Sequence, residues 1–235
     1  MSIAENIAAI RAKMDEAAIR AGRNPREVQL CAATKMNDAD AVRQAIAGGV
    51  DCCGENRVQE LVQKSSENAY EGAPVHFIGH LQTNKVKQVV GKVDLIQSVD
   101  SLRLLKAIDA EAARQGTVQK ILLEVNIGNE ESKSGFPAAD ILPLLEQIGD
   151  FPHILVCGLM AIPPISQNSG DNRKFFQEML QLSVEITAKK YDKLSIDFLS
   201  MGMSDDFEDA IACGSTMIRV GTAIFGARNY AKVHQ

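Results

Sequence analysis

The sequence predicts an α/β fold, a single (β/α)8 TIM-type barrel with an extra N-terminal helix. Segments of strand length alternate along the chain with segments whose apolar residues recur at helical spacing. Several strand segments are continuous apolar runs, notably Ile121-Leu122-Leu123 and Ile154-Leu155-Val156-Cys157, as expected of strands covered on both faces. The length of 235 residues is close to the usual size of such a barrel, so we expect one domain over residues 1–235.

The elements follow in order from the N-terminus. Residues 2–22 place Ile3, Ile7, Ile10 and Met14 at helical spacing, and Gly22 suits the end of this helix. Strands are predicted at residues 28–34, 50–53, 75–78, 94–99, 119–126, 154–160, 194–200 and 216–221. Helices are predicted between them at residues 38–48, 56–69, 83–91, 101–115, 138–149, 171–190 and 205–213, with a longer polar loop at 163–172.

A doubly wound open sheet is the alternative fold. Such a sheet usually has fewer strands and often carries a glycine-rich turn after the first one. Here the first strand runs into Thr34-Lys35-Met36-Asn37, which contains no glycine, so the barrel is favoured.

Composition narrows the class of protein and its partners. The net charge of −5 and the lack of a basic cluster argue against nucleic acid as a partner. No apolar stretch approaches the roughly 20 residues that span a bilayer, and the N-terminus does not resemble a signal peptide. The five cysteines are an odd number without a CxxC spacing, so we expect a reduced, cytoplasmic protein.

Lys35 closes the first apolar strand and is the leading candidate for chemistry. A lysine at the end of a buried strand loses hydration, which lowers its pKa and makes the neutral amine accessible. A neutral amine in a dry pocket forms a Schiff base with an aldehyde or ketone. The alternative is a lysine whose charged end simply reaches solvent at the rim, and position alone leaves both open.

The loops after the seventh and eighth strands suggest an anion site, since barrels of this kind often bind phosphate there. Gly202 and Gly221 allow close backbone approach, and Ser204 and Thr222 supply hydroxyls. Ser204 also fits the N-cap of the helix predicted at 205–213. The alternative is that these residues only cap that helix.

Arg219 lies two residues before Gly221, so both should face the ligand space. A pyridine nitrogen, a phosphate or a carboxylate would satisfy its guanidinium; a salt bridge with Glu124 inside the barrel is the alternative.

Metal and nucleophile patterns are weak. His76 and His80 lack helical ligand spacing, there is no GxSxG, and Cys52-Cys53 has no obvious histidine base, so packed thiols are expected.

Six segments in order carry a family resemblance over essentially the whole chain: Gly54-Glu55-Asn56-Arg57-Val58-Gln59-Glu60, His76-Phe77-Ile78-Gly79-His80-Leu81-Gln82-Thr83-Asn84-Lys85, Ser132-Lys133-Ser134-Gly135, Gly158-Leu159-Met160-Ala161-Ile162, Ser200-Met201-Gly202-Met203-Ser204-Asp205-Asp206 and Arg219-Val220-Gly221-Thr222-Ala223-Ile224-Phe225-Gly226. With these, the chain resembles the pyridoxal phosphate homeostasis proteins, related to the N-terminal barrel of alanine racemases. One departure is Ala32-Ala33-Thr34, where the family more often has Val-Ser before the lysine.

The resemblance implies a site for pyridoxal 5′-phosphate (PLP). Lys35 would form the internal aldimine, and Arg219 would meet the pyridine nitrogen. The remaining implied residues contact the phosphate (Ser204, Gly221, Thr222 and the backbone of Met203) or line the ring (Asn56, Met160, Ser200). His80 is placed near the site only by its position after the third strand.

An arginine at the pyridine nitrogen keeps that nitrogen unprotonated and weakens the ring as an electron sink. Racemases with this arrangement use a second acid/base from a further domain, and the few residues after the eighth strand leave no room for one. We therefore expect a monomeric protein that binds, buffers or hands over PLP in vitamin B6 homeostasis, with PLP-requiring apo-enzymes as possible recipients and without efficient turnover. The alternatives are a PLP-dependent amino-acid racemase or lyase, and a sugar-phosphate aldolase that uses Lys35.

Overall fold

The computed structural model describes residues 1–164, 168, 170–189, 191 and 194–226. Within these residues, eight parallel strands form a closed barrel in sequence order, with the last strand paired to the first. The strands are β1 (Gln29–Ala33), β2 (Cys52–Glu55), β3 (Val75–Phe77), β4 (Leu95–Val99), β5 (Gln119–Val125), β6 (Ile154–Ala161), β7 (Leu194–Ser200) and β8 (Met217–Val220). The predicted fold class is confirmed.

Helices surround the barrel, and most of them connect consecutive strands. They are α1 (Ile3–Arg20), α2 (Ala39–Ala47), α3 (Val58–Ser66), α4 (Leu102–Gln115), α5 (Ala138–Glu146), α6 (Arg173–Lys189), α7 (Phe207–Ala212) and α8 (Thr222–Phe225), with 3₁₀ helices at Pro25–Glu27, Thr83–Gln88 and Ile148–Asp150. The helix predicted at 83–91 is the 3₁₀ helix Thr83–Gln88, because Asn84 and the β-branched Val86, Val89 and Val90 disfavour an α-helix. The polar loop predicted at 163–172 lies partly outside the described residues.

The predicted N-terminal helix is confirmed as α1. A capping box starts it: Ser2 Oγ accepts from the Glu5 N–H (3.2 Å), and Glu5 Oε2 accepts from the Ser2 N–H (2.7 Å). Its buried stripe, which includes Ile7, Ile10 and Met14, packs against α2, α7 and α8. No helix among the described residues combines the length and the hydropathy needed to cross a bilayer.

Alternate residues of each strand point into the barrel or out towards the helices. The outward side chains join the large apolar core beneath the helices, whereas the inward ones include an apolar group of Leu95, Leu122, Cys157 and Met160. Several buried inward positions are instead polar: His76, Gln97, Ser200 and Arg219. This polar interior lies below the loops that follow the strands, where the predicted site residues are found.

Candidate functional site

Lys35 lies in the turn that follows β1, two residues beyond the last strand residue, and is partly buried. The turn is held at both of its flanking residues. The Thr34 carbonyl accepts from Lys64 Nζ (2.8 Å), and the Met36 N–H donates to Glu60 Oε2 (2.6 Å). Met36 has a φ of +62°, so the chain bends sharply directly after the lysine. The backbone that carries the Lys35 side chain is therefore fixed from outside the barrel.

A buried ion pair stands behind this turn. Glu55, at the end of β2, and Lys64, on α3, are both buried, and Lys64 Nζ donates to Glu55 Oε1 at 2.6 Å. The same carboxylate oxygen accepts from Thr34 Oγ1 (2.5 Å) and from the Tyr70 hydroxyl (3.0 Å). Burial raises the pKa of Tyr70 well above its usual value, with the Glu55 charge acting in the same direction. These hydrogen bonds compensate two charges that would otherwise be costly to bury.

Sequence reasoning missed this ion pair. Its one local signal is the spacing of Glu60 and Lys64, four residues apart on α3, whose side chains also pair at 3.2 Å.

Arg219 projects from β8 into the barrel and is buried. Its Nη1 donates to Ser200 Oγ (2.6 Å), and its Nη2 donates to the Ala161 carbonyl (2.9 Å). Among the described residues it forms no ion pair, so the salt bridge with Glu124 considered above is absent. Burial lowers the pKa of Arg219 because the guanidinium is poorly solvated there, while the charges of Cys31, Glu124 and Asp206 oppose the shift.

A chain of buried hydrogen bonds continues from Arg219 across the barrel. Ser200 Oγ donates to Gln97 Oε1 (2.7 Å), and Gln97 Nε2 donates to His76 Nδ1 (2.9 Å). Sequence reasoning did not select Gln97, although a glutamine inside the fully buried strand β4 is an unusual placement that could have indicated an inward polar contact.

The turn after β1, which carries Lys35, and the loops after β7 and β8 are neighbours. The Arg219 N–H donates to the Gly202 carbonyl at 3.0 Å, which joins the loop after β7 to β8. A Cβ atom added to Gly221 would lie 3.3 Å from the Ala33 Cβ, so the end of β8 contacts β1 two residues before Lys35. The amine and both glycine-containing turns therefore share one end of the barrel.

Ser204 is not the N-cap predicted for the following helix. The helix α7 begins later, at Phe207, and its N-cap is Asp206, which makes no capping hydrogen bond. The Asp206 carboxylate instead accepts from the Met203 N–H (2.7 Å) and from Asn172 Nδ2 (2.8 Å). The Met203 N–H is thus already bonded, whereas Ser204 is partly buried, and Thr222 is exposed at the start of α8.

Asn56 and Met160 lie on opposite sides of this end of the barrel. Asn56 follows β2, and its Oδ1 is a buried acceptor without a hydrogen-bond partner among the described residues. Met160, near the end of β6, is fully buried among inward apolar side chains.

Glu124, near the end of β5, is a buried carboxyl group that faces charged neighbours. Desolvation raises its pKa to about 7, and the Asp100 charge adds to this, while Arg219 and His80 oppose it. The His80 side chain is largely exposed, with its Nδ1 2.9 Å from Asp100 Oδ2, so it lies at the rim.

The prediction that Cys52 and Cys53 are packed thiols is confirmed, since both are buried, but the expectation that Cys52 has no histidine base is wrong. Potential ligand atoms of Cys31, Cys52 and His76 all lie within 4.8 Å of one another, on adjacent strands inside the barrel. Long-range strand pairing, which local spacing does not show, brings the three together.

Comparison with known proteins agrees with this architecture. Residues 3–229 match the family model for the alanine racemase N-terminal domain. The chain is 40% identical over 233 residues to the pyridoxal phosphate homeostasis protein of Escherichia coli K12, covering 98% of each chain. It is 39% identical over 230 residues to the protein of that name from Aquifex aeolicus, covering 98% of this chain and 100% of that one.

Solved structures give a similar result. PipY of Synechococcus elongatus with PLP bound has a TM-score of 0.82 and 33% identity, with 96% of this chain and 100% of that chain covered. PipY without PLP has a TM-score of 0.85 and 34% identity at the same coverage.

Proposed function

We propose that this chain, which belongs to the alanine racemase N-terminal domain family and within it to the pyridoxal phosphate homeostasis proteins, binds PLP through a Schiff base on Lys35. In this proposal it carries and buffers the cofactor in vitamin B6 homeostasis and does not turn over substrate efficiently. The observation that carries the proposal is the convergence of Lys35, Arg219 and the Gly202 and Gly221 turns at one end of the barrel.

The described residues fit the three functional parts of PLP. The aldehyde requires an amine, which Lys35 provides at the end of β1. The pyridine nitrogen requires a donor, and Arg219 is a buried guanidinium that forms no salt bridge within the described residues. Asn56 Oδ1 is buried and has no hydrogen-bond partner in the part of the chain that the structure describes, which is a further sign that this end of the barrel accepts a polar ligand.

The phosphate is assigned to the loops after β7 and β8. Ser204 and Thr222 offer hydroxyl groups, and Gly221 keeps the β8 turn free of a side chain. The Met203 N–H, which the resemblance implies as a donor, would have to leave Asp206 Oδ1 to reach a ligand. We therefore assign Met203 a smaller part than Ser204 and Thr222.

The ring is assigned to the space among Asn56, Met160 and Ser200. Met160 supplies an apolar surface, and Ser200 acts through Arg219 because its Oγ accepts from the guanidinium. Formation of the link joins Lys35 Nζ to the aldehyde carbon as a C=N bond and releases one water molecule.

Bound PLP supplies an electrophilic carbon and a conjugated ring that can withdraw electrons from an attached amino acid. Arg219 would limit that withdrawal, because a guanidinium N–H donates a hydrogen bond and leaves the pyridine nitrogen an unprotonated acceptor. The hydrogen bonds to Ser200 and Ala161 hold Arg219 in this role. These features support binding and release of the cofactor over fast carbanion chemistry.

A PLP-dependent racemase or lyase is the second candidate function, and Glu124 is the observation that favours it. Its carboxyl group, with a pKa raised to about 7 by burial, could exchange a proton near neutral pH. Single-enantiomer amino acids should be incubated with the PLP-loaded protein while optical rotation is followed. Turnover of about 1 s⁻¹ or more, lost in Glu124→Gln, would establish the enzyme and contradict our proposal.

The covalent assignment is tested by titrating the reduced full-length chain with PLP and recording its visible absorption. We expect one equivalent to bind in the wild type and in Lys92→Ala, an exposed lysine before β4, with no Schiff-base band in Lys35→Ala. Borohydride reduction followed by peptide mass spectrometry should place the adduct on Lys35. A band that survives in Lys35→Ala refutes the assignment, and borohydride trapping of a ketose phosphate by a protein that stays colourless with PLP would indicate an aldolase.

A further inference from the structure

Three soft ligand groups meet inside the barrel, outside the proposed cofactor site. Cys31 on β1, Cys52 on β2 and His76 on β3 are 0%, 1% and 5% exposed, so water does not solvate them. Cys31 and Cys52 are direct partners in the β1–β2 register, and β3 pairs with β2 beside them. One potential ligand atom from each residue lies within 4.8 Å of the other two. Among the described residues, no other His, Cys, Asp or Glu trio meets this condition.

The two thiols differ in their tendency to ionise. A hydrogen bond from Cys52 lowers the pKa of Cys31, with further help from His76 and the Arg219 charge, although desolvation opposes it. The same hydrogen bond raises the pKa of Cys52. The cluster thus combines two thiol groups linked by a hydrogen bond and an imidazole in a dry space, a combination that the proposed handling of PLP does not use.

We propose that Cys31, Cys52 and His76 bind one thiophilic metal ion, Zn(II) or Cu(I), inside the barrel. Thiolate and imidazole are the ligands that both ions prefer. The Met217 thioether packs in the same cluster as the two cysteines and is a soft neighbour suited to Cu(I).

The surroundings of His76 suit a metal ligand. Gln97 contacts its Nδ1 at 2.9 Å, which leaves Nε2 as the ligating nitrogen. A half-turn of the Gln97 amide exchanges its oxygen and nitrogen, so that the oxygen accepts from an Nδ1–H when Nε2 binds metal, and the nitrogen then donates to Ser200 Oγ. Ligating histidines generally have such a partner on their second nitrogen.

The distances demand only a small contraction. Zinc–sulfur bonds of about 2.3 Å and zinc–nitrogen bonds of about 2.1 Å put tetrahedral donor atoms roughly 3.5–3.8 Å apart. Atoms that already lie within 4.8 Å need to move by about 1 Å or less at each position. Both cysteines bind as thiolates, and each proton that they lose on binding is released to solvent.

The net charge of the occupied site differs between the two ions. Two thiolates and Zn(II) sum to zero, whereas two thiolates and Cu(I) leave one negative charge. The Arg219 guanidinium acts on Cys31 electrostatically and would compensate that charge. The two ions should therefore be tested side by side.

The experiment uses the full-length chain, reduced and freed of metal, without PLP. Because the cluster is buried, metal is added both to the folded protein and during refolding, and bound metal is measured by atomic emission after dialysis. Co(II) serves as a spectroscopic probe of thiolate ligation at a zinc site. We expect one equivalent in the wild type, and roughly tenfold or greater loss of affinity in each of Cys31→Ser, Cys52→Ser and His76→Phe.

Matched controls come from the chain's other cysteines. Cys157→Ser and Cys213→Ser also remove buried thiols, but neither residue belongs to the cluster, so both variants should bind like the wild type. Binding lost equally in the controls, or retained in the site variants, overturns the proposal.

X-ray absorption of the wild-type metal complex gives a result that does not depend on folding of the variants. A first shell of two sulfur atoms and one nitrogen supports the site, and comparison of the Zn and Cu samples shows which ion it takes. A shell of oxygen and nitrogen only, or no retained metal in either loading, contradicts it.

Discussion

Lys64 Nζ lies 2.6 Å from Glu55 Oε1, and this buried pair stands directly behind the turn that presents Lys35. The two residues come from α3 and β2, and both also bond to Thr34, the residue before Lys35. The pair therefore links the outer helix layer to the proposed reactive amine. Its loss should affect both stability and cofactor binding.

Replacing Lys64 by Met should destabilise the fold by about 3 kcal/mol or more, because the Glu55 carboxylate would stay buried without its counter-ion. The free energy of unfolding is measured with urea, and PLP affinity by absorption. Lys189→Met is the matched control, since Lys189 is exposed and its pairing distance to Glu146 is 3.9 Å. A loss below about 1 kcal/mol in Lys64→Met would show that the pair does not brace the turn.

Gln97→Leu should weaken the positioning of Arg219. The change leaves Ser200 Oγ and His76 Nδ1 without the partners they have at 2.7 Å and 2.9 Å, at a cost of about 1–3 kcal/mol for buried polar groups. PLP should bind more weakly, and the band of the bound cofactor should shift. Gln59→Leu, at an exposed position on α3, should change neither property. An unshifted band with wild-type affinity would show that Gln97 does not act through Arg219.

The strands were predictable because burial on both faces leaves an apolar run that needs no knowledge of the partner. The predicted strand at 119–126 is observed at Gln119–Val125, and the one at 154–160 at Ile154–Ala161. The first residue of a helix is harder to predict when several residues of N-capping type are consecutive. Ser204, Asp205 and Asp206 are all capping types, and local sequence does not indicate that α7 begins after the third.

The polar contacts around the site were not predictable for a different reason. Gln97 and Ser200 are 103 positions apart, and Thr34 and Lys64 are 30 apart, so neither contact leaves a periodic signal. Lys35 and Arg219 could be selected because Lys35 is a charged residue directly after an apolar strand and Arg219 is one inside such a strand. The hydrogen-bond partners of Arg219, Ser200 and Ala161, are brought to it by closure of the barrel, so the local sequence does not identify them. The alternative partner Glu124 forms no ion pair with Arg219 among the described residues.

Glu124 should make stability depend on pH. Its pKa rises from 4.5 in the unfolded chain to about 7 in the fold, mainly by desolvation, with Asp100 adding to the effect and Arg219 and His80 opposing it. Between these values the folded state holds a proton that the unfolded state has released. Stability from this group is therefore complete below pH 4.5 and falls by about 3 kcal/mol as pH rises to about 7.

The measurement compares urea unfolding of the wild type and Glu124→Gln from pH 4.5 to 8. The amide cannot ionise, so the variant should gain stability relative to the wild type as pH rises, by about 3 kcal/mol in total. Groups common to both proteins cancel in the difference. A difference that stays constant with pH would show that Glu124 titrates at its ordinary pKa.

Gly202→Ala should damage both the fold and the proposed phosphate turn. Gly202 has a φ of +95°, and an added Cβ would lie 2.6 Å from the Ala210 Cβ and 3.1 Å from the Phe207 Cα, so α7 would have to move. We expect a loss of about 1–3 kcal/mol in the free energy of unfolding and weaker binding of PLP. Gly149→Ala is the control, because nothing lies within 4 Å of its added Cβ, and it should behave like the wild type. Since the Gly202 carbonyl also accepts from the Arg219 N–H, a variant that is destabilised yet binds PLP normally would remove the β7 turn from the proposed site.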